Sequence, residues 1–375
     1  MKLALVVPGG VDRSGEYRVI PALLHLIKRL ARAHEVHVFA LRQEVAPATW
    51  PLAGATVHNI GDGWPRWRAV HAIATEHRRA PFDLIQAIFS GPCGQVAVAA
   101  AMRLNCLSLV HVAGGELVAM RDIGYGGRLN WRGRVSEALV LRCADRVTAA
   151  SAPVIESLRA LGIRAHRVPL GVDLAGWPAQ SPRRRGPGPA RLLHVASLNR
   201  VKDQPTLLRA LALLLENGVA FQLDIVGVDT LDGEGQRLTT QLGLDDHVRF
   251  LGFRTQRELR TIMSAAHLLV MSSRHETGPL VLLEAAVVGV PTVGTAVGHL
   301  AEWTPAAALS VPVGDWAALA GTIERVLADE DLRLRLAWSV QRRAMREDAD
   351  HTAQLFETAY LSLREPPAVA LKAKR

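Results

Sequence analysis

Short apolar runs alternate with amphipathic stretches along this chain, and after a break near residue 185 the alternation starts again. Leu3–Val7 reads as a buried strand, followed by Val19–Arg32, where Leu23, Leu24, Ile27 and Leu30 recur at helical spacing. Strands are expected over Val36–Ala40, Asp83–Ile88, Leu107–Val112 and Val147–Ser151, with helices over Val70–Arg79, Val96–Arg103 and Arg134–Cys143 between them. The break is Ser181–Ala190, where proline and glycine block regular structure and three adjacent arginines repel. It reads as an interdomain linker or a loop just before a second domain. Beyond it come strands at Arg191–Ala196, Phe221–Val226, Val248–Leu251, His267–Met271 and Pro291–Gly294. Helices are expected over Gln204–Glu216, Gly235–Leu242, Gln256–Ala266 and Pro279–Val288, then over Leu319–Asp329 and Arg333–Met345. Such alternation makes βαβ units and parallel sheets covered on both faces.

The expected fold is therefore α/β: two Rossmann-like doubly wound domains, residues 1–170 and 171–351, facing across a cleft. Ligands of such sheets bind beyond the carboxyl ends of the strands. The last helix, Thr352–Leu363, follows both sheets. We expect residues 352–365 to pack back on the first domain and 366–375 to form a disordered tail. The composition allows this, because 49% apolar and 21% charged residues in 375 can fill two cores.

Several classes are disfavoured. No stretch reaches the ~18 apolar residues of a membrane span. The apolar start runs directly into Gly9-Gly10 without a small-residue cleavage site, so a first strand is expected rather than a signal peptide. Cys93, Cys106 and Cys143 match neither a zinc spacing nor a disulfide framework, which points to the reducing cytoplasm. The net charge of +9 calls for an acidic partner. With no nucleic-acid motif in view, a phosphorylated small molecule or an anionic membrane surface comes first.

The most informative segment is Ser272-Ser-Arg-His-Glu-Thr-Gly-Pro-Leu-Val-Leu-Leu-Glu284. A strand ends at Met271, and Gly278-Pro279-Leu280 opens a helix whose unpaired N–H groups suit a phosphate or a sugar hydroxyl. Glu276 lies just before the helix, beside His275, and Glu284 lies inside it among apolar neighbours. The two carboxylates are expected on the order of 10 Å apart, from the ~1.5 Å helical rise. That is wide for two-carboxylate glycoside hydrolysis, which needs roughly 5–9.5 Å, but suits one long ligand held at both ends.

This segment, followed by Gly289-Val-Pro291, resembles the two-glutamate signature of the family-4 retaining glycosyltransferases, which have the GT-B architecture. Other segments resemble the family in order: Ala144-Asp145 to Ser151, Val168-Pro-Leu-Gly171-Val-Asp173, Val195 to Lys202 with the helix after it, Asp224-Ile-Val-Gly227, and Val248 to Phe253. The resemblance is strong from about Val168 to Asp315 and weaker before Asp83. It implies that Glu276 contacts donor-sugar hydroxyls, Glu284 the ribose, and Lys202 the donor diphosphate. A fixed cation there would stabilise the departing phosphate. It implies a nucleotide-sugar donor, no cofactor and no metal, and a glycan, lipid-linked or small-molecule acceptor used in polysaccharide or glycoconjugate synthesis. The expected location is cytoplasmic, at most peripheral at the inner membrane face.

Two positions depart from the family pattern. Ser197 stands where an arginine is usual, with Arg200 three residues on as a replacement cation. Gly298-His299 stands where Gly-Gly is common, with Glu302 retained. On the acceptor side the expected residues are Arg13 and Gly15 after the first strand, and His111, Gly115 and Glu116 at the end of Leu107–Val112. His111 reads equally as an acceptor contact or a core histidine. Trp64-Pro-Arg-Trp67-Arg68 and Arg128 to Arg134 mix tryptophan with arginine, as membrane interfaces and ordinary surface helices both do. A nicotinamide dehydrogenase does not fit, because Pro8 to Gly15 lacks the glycine spacing. A sugar-nucleotide epimerase, or a nucleotide-sugar-binding protein with a degenerate site, shares the architecture and stays open on sequence.

Overall fold

The computed structural model describes residues 1–364 and contains two sheets with helices on both faces. The expected tail, 366–375, lies outside the described residues. The first sheet has the order β3-β4-β2-β1-β5-β6-β7-β8 and the second β11-β10-β9-β12-β13-β14. In the first sheet, β1 (Lys2–Val7) is buried along its whole length between β2 (Glu35–Ala40) and β5 (Leu84–Ile88), in parallel register with both. β6 (Leu107–Val112), β7 (Arg146–Ala149) and β8 (His166–Arg167) extend the parallel array. The start of the chain is thus the central strand of a sheet.

The sequence reading missed β3 (Ala48–Leu52) and β4 (Ala55–Asn59), which pair antiparallel at the sheet edge. Pro51 and the tight Ala53-Gly54 turn hide them, and an edge strand is where proline is tolerated. Helices α1 (Pro21–Leu30), α2 (Pro65–Arg79), α3 (Pro92–Leu104), α4 (Trp131–Cys143) and α5 (Ala152–Ala160) connect these strands. Helix α2 begins five residues before its expected start, at a proline suited to a first turn.

The second sheet is all parallel: β9 (Ala190–Val195), β10 (Phe221–Val226), β11 (Val248–Gly252), β12 (Leu268–Met271), β13 (Thr292–Thr295) and β14 (Leu309–Val311). Its helices are α6 (Gln204–Glu216), α7 (Glu234–Gln241), α8 (Gln256–Ala265), α9 (Leu280–Val287), α10 (Gly298–Trp303), α11 (Trp316–Ala328) and α12 (Glu330–Arg346). β14 and α10 were too short to read from periodicity. The arginine-rich break belongs to this half. Arg184 pairs with Asp331 at 2.7 Å, and the Arg333 guanidinium donates to Glu330 and to the Arg183 carbonyl. It is therefore a surface loop, and the mutual repulsion of its arginines is met by α12.

The chain crosses between the halves twice, side by side. Ala349 N–H donates to the Val172 carbonyl at 2.9 Å, and Thr352 Oγ1 bridges Gly171 N–H and the Pro169 carbonyl. A Cβ at Gly171 would lie 2.1 Å from the Asp348 backbone, so only glycine lets the two strands of chain pass. Arg29 joins Asp173 and Asp350 at the same place. Asp350 is thus part of the crossing. The last helix, α13 (Ala349–Arg364), lies on the first sheet, where Phe356 and Tyr360 join the core of Leu3, Leu5 and Val38. The Tyr360 hydroxyl donates to Gln86 Oε1 beneath it.

Candidate active site

The carboxyl ends of β9 and β12 carry the loops that face the first domain. After β9, Asn199 Oδ1 accepts the N–H groups of Val201 and Lys202 and folds the loop tightly, and Asp203 caps α6. The loop after β12 clamps onto it: Arg274 N–H donates to the Val201 carbonyl at 2.7 Å, and Ser272 Oγ to the Lys202 carbonyl at 2.8 Å. Lys202 is thereby fixed facing Glu276, with Nζ 2.5 Å from Oε1. Ser273, not foreseen from the sequence, donates to the same oxygen at 2.7 Å. Both contacts fall on Oε1, so Oε2 has no partner among the described residues.

Glu284 is deeper. It is buried inside α9, Oε1 has no hydrogen-bond partner among the described residues, and burial pushes its carboxyl up to about 7. Gln256 at the start of α8 lies beside it, held by the Trp177 indole at 2.9 Å. The two glutamates therefore stand in separate surroundings, one in a polar loop and one in an apolar helix. Pro279 precedes the first helical residue, Leu280, one position earlier than expected for a first-turn proline. The first N–H groups of α9 lack intrahelical acceptors where the helix meets the cleft. Gly227 ends β10 beside the same loops. A Cβ there would lie 1.9 Å from the Ala196 carbonyl oxygen, so glycine lets the ends of β9 and β10 close up.

Arg200 does not reach Glu276 in this structure. It is exposed and reaches Glu234 at 3.2 Å, while Lys202 alone is paired with Glu276. Ser197 is exposed, and its carbonyl accepts from Gln204 at 3.2 Å. His299 is fully buried, 3.3 Å from Glu302 and stacked on Trp303. A Cβ at Gly278 would meet His299 Nε2 at 2.9 Å and Ala150 of the first domain at 3.2 Å, so His299 underlies the turn into α9. Burial opposes the charge on Glu302, yet the His299 ring and the Arg167 guanidinium hold its carboxyl down to about 2.

The same loop touches the first domain at several points. Arg274 pairs with Asp122 at 2.6 Å, His275 Nε2 lies 3.3 Å from the Gly114 carbonyl, and Thr277 Oγ1 donates to the Ala113 carbonyl at 2.5 Å. Gly114, Gly115 and Glu116 follow β6. Glu116 is buried and accepts the N–H groups of Ser90 at 3.0 Å and Gly114 at 2.7 Å, so it braces the loop. Burial raises its carboxyl against those backbone bonds.

This loop borders a cavity of about 1160 Å³. Its inner end is Gly114, Gly115 and Tyr125; its outer end is Trp64, Arg66 and Trp67. Glu137 of α4 lies in its floor, buried, with Ser90 Oγ donating to it, and burial pushes its carboxyl up to about 7. Sequence reasoning missed Glu137, Ser90 and Tyr125, whose separation along the chain gives no motif. The available signal was the helical spacing of Glu137 to Val140 and Leu141, three and four residues on, which puts it on the apolar face of α4.

Three expected acceptor residues, His111, Arg13 and Gly15, do not line the cavity. His111 is fully buried, its Nδ1 2.9 Å from Thr148 Oγ1 and its ring edge-on to Phe356 of α13. Burial pushes its imidazole down to about 3. It is a core histidine because α13 covers this face of β6. Arg13 is turned back, bidentate to Glu44 at 2.9 and 3.0 Å and 4.7 Å above the Trp50 ring. Gly15 does sit on a loop that reaches the second domain, through Tyr17 and Phe253 with ring centroids 6.0 Å apart.

The match to known proteins spans both halves. Residues 180–343 match the family described as Glycosyl transferases group 1, and residues 19–171 match the Glycosyl transferase 4-like domain. A D-inositol 3-phosphate glycosyltransferase of Salinispora arenicola is 31% identical, over 92% of this chain and 86% of that protein. The chain belongs to the group 1 glycosyltransferases. Its relative from Frankia alni, also described as a D-inositol 3-phosphate glycosyltransferase, is 29% identical over 97% of this chain and 98% of its own. Among solved structures, sucrose-phosphate synthase of Thermosynechococcus elongatus superposes with a TM-score of 0.81 at 20% identity, covering 97% of this chain and 99% of that one. Anabaena Alr3699/HepE in complex with UDP-glucose gives 0.75 at 20% identity, covering 96% and 100%. These structures establish the GT-B fold of this glycosyltransferase, and the relative establishes its family.

Proposed function

We propose that this glycosyltransferase moves a hexosyl group from a nucleoside diphosphate sugar to a hydroxyl in the first-domain cavity, with retention of anomeric configuration. The observation that carries this is the Lys202–Glu276 pair at the mouth of α9, with Glu276 Oε2 unengaged. A donor diphosphate draws Lys202 toward its negative charge, and the start of α9 adds the positive end of a helix dipole. Glu276 then receives sugar hydroxyls. A ribose hydroxyl satisfies the unpartnered oxygen of Glu284, whose carboxyl burial in its apolar site otherwise pushes up to about 7.

The step breaks the bond from the anomeric carbon to the phosphate oxygen and forms one to the acceptor oxygen on the same face. The acceptor proton goes to the departing phosphate. Lys202 stabilises the charge that builds there, so no metal or separate general base is required. The other candidate donor contacts, Gly278, Pro279, Leu280 and His275, form the turn around the transferred sugar.

A panel of nucleoside diphosphate sugars in thermal-shift assays identifies the donor, because a ligand stabilises by RT ln(1 + [L]/Kd). Turnover with that donor, followed by NMR of the anomeric proton, is expected to give the donor's own configuration and to survive a chelator. Inverted product, or no nucleoside diphosphate stabilising the chain, would overturn the proposal.

A further inference from the structure

The outer face of the first domain, formed by α2, α3 and α4, carries an unusual surface. Trp64, Trp67 and Trp131 are 81%, 73% and 63% exposed, and Met102, Val135 and Leu139 are exposed with them. Met102, Trp131, Val135 and Leu139 line one apolar hollow between α3 and α4. Trp67, Arg78 and Arg103 line a second. The cavity shares Trp67 with one hollow and Gln95 and Ser136 with the other, so the three form a continuous face with the cavity mouth between them.

The charge on this face has one sign. The three helices expose eight arginines: four on α2, one on α3 and three on α4. Their only two carboxylates are withdrawn. Glu137 is buried, and Glu76 is paired with Lys2 and with Arg79, each at 3.0 Å, which leaves seven of the arginines without a carboxylate partner among the described residues. A second copy of this chain would set like charge against like, and an acidic groove on a protein would not need three exposed indoles. Indoles and arginines beside aliphatic side chains suit the headgroup region of an anionic bilayer. Among the described residues no helix is long and apolar enough to cross a membrane, so the contact would be peripheral.

We propose that the α2–α3–α4 face docks on anionic lipid, and that the acceptor is an amphiphile drawn from that bilayer. Docking itself is independent of the proposed chemistry; the identity of the acceptor rests on it. Trp64 and Trp67 then stand at the bilayer surface, and the polar head passes between them toward Gly114, where the loop meets His275 and the donor side. The apolar walls of the mouth cover the first part of the lipid tail.

The test is flotation of the full chain with phosphatidylcholine vesicles, with and without about one-third phosphatidylglycerol, at low and high salt. Binding is expected only to the anionic vesicles, and high salt should weaken it strongly, since the Debye length falls to about 3 Å at 1 M. Arg132→Glu and Arg142→Glu, which lie outside the cavity, should each lower the vesicle partition on the order of tenfold. Trp131→Ala should lower it while turnover of a water-soluble acceptor stays unchanged. Equal binding to neutral and anionic vesicles, no binding to either, or a stable dimer that Trp131→Ala dissociates would each overturn the docking. Nucleoside diphosphate binding, measured on the same samples, separates the two ideas. Intact donor binding without flotation sinks only the docking, and flotation without donor binding sinks only the proposed chemistry.

Discussion

The loop between β12 and α9 and the cavity between α2, α3 and α4 use their polar atoms in opposite ways. In the loop, Ser272, Ser273, Arg274 and Glu276 each spend a hydrogen bond on fixing two neighbouring segments, and the result is one lysine aimed at one carboxylate. In the cavity, the two carboxylates of the floor lie beneath aromatic and glycine walls and answer to Ser90 and the backbone, while Arg42 and Arg66 stand exposed in its lining. A ligand gripped by charge needs fixed charges at fixed spacing. A ligand recognised by shape needs only walls. The first arrangement fits the part of a substrate that related enzymes have in common, a sugar diphosphate, and the second fits the part that differs.

The largest expected effect tests the charged side. Glu276→Ala should lower kcat roughly 10²–10³-fold, the usual cost of losing one transition-state contact. Lys202→Ala should lower kcat and raise donor KM together, because the diphosphate is met in both ground and transition states. Steady-state kinetics with the donor found above decides both. Wild-type turnover in either variant would move the chemistry out of this loop and end the contrast with the cavity.

Glu284→Ala should act mainly on donor affinity. A hydrogen bond to a charged group is worth about 1.5–3 kcal/mol, so KM for the donor should rise roughly tenfold or more with kcat less affected. An unchanged KM would place the ribose elsewhere.

The pH dependence of the unliganded enzyme compares the two halves directly, since burial raises the proton affinity of Glu116 and Glu137 in the first and of Glu284 in the second. Glu137 and Glu284 titrate near 7 in the fold, against 4.5 for an ordinary glutamate. Between those values the native state binds more protons than the unfolded chain, so stability should fall as pH rises from about 4.5 to about 7. Each site is worth on the order of 1–3 kcal/mol. Glu137→Gln and Glu284→Gln should each flatten the slope seen in urea titrations, and bound nucleotide should remove only the share of Glu284. A slope unaltered by both substitutions would mean that neither carboxyl is held neutral.

What was legible follows the same division. Glu276 and Glu284 sit on one strand–loop–helix whose pattern is local, so spacing placed them around one helix mouth, whereas Lys202, 74 residues earlier, was implied by the family resemblance. The two-sheet architecture was readable because buried parallel strands are continuous apolar runs. His111 could not be placed, because its neighbour Phe356 comes from a helix that returns 245 residues later to cover β6. Glu137, Ser90 and Tyr125 meet only through tertiary packing. Arg200 is near Ser197 in sequence, but its ion pair with Glu234 of α7 is a tertiary contact that sequence distance does not show.

Arg13 offers the smallest expected effect and the sharpest check on the acceptor half. Its position after β1 made it a natural acceptor ligand, but its guanidinium is engaged by Glu44 and lies over the Trp50 ring. An exposed pair of this kind is worth about 0–1 kcal/mol, so Arg13→Ala should change kcat/KM for the acceptor by less than about threefold and stability by a similar energy. A loss of tenfold or more, with the variant folded, would mean that the residue 12–18 loop releases Glu44 and swings to the acceptor. The acceptor side would then also grip its ligand with a positioned charge, and the contrast with the donor loop would shrink to one of timing.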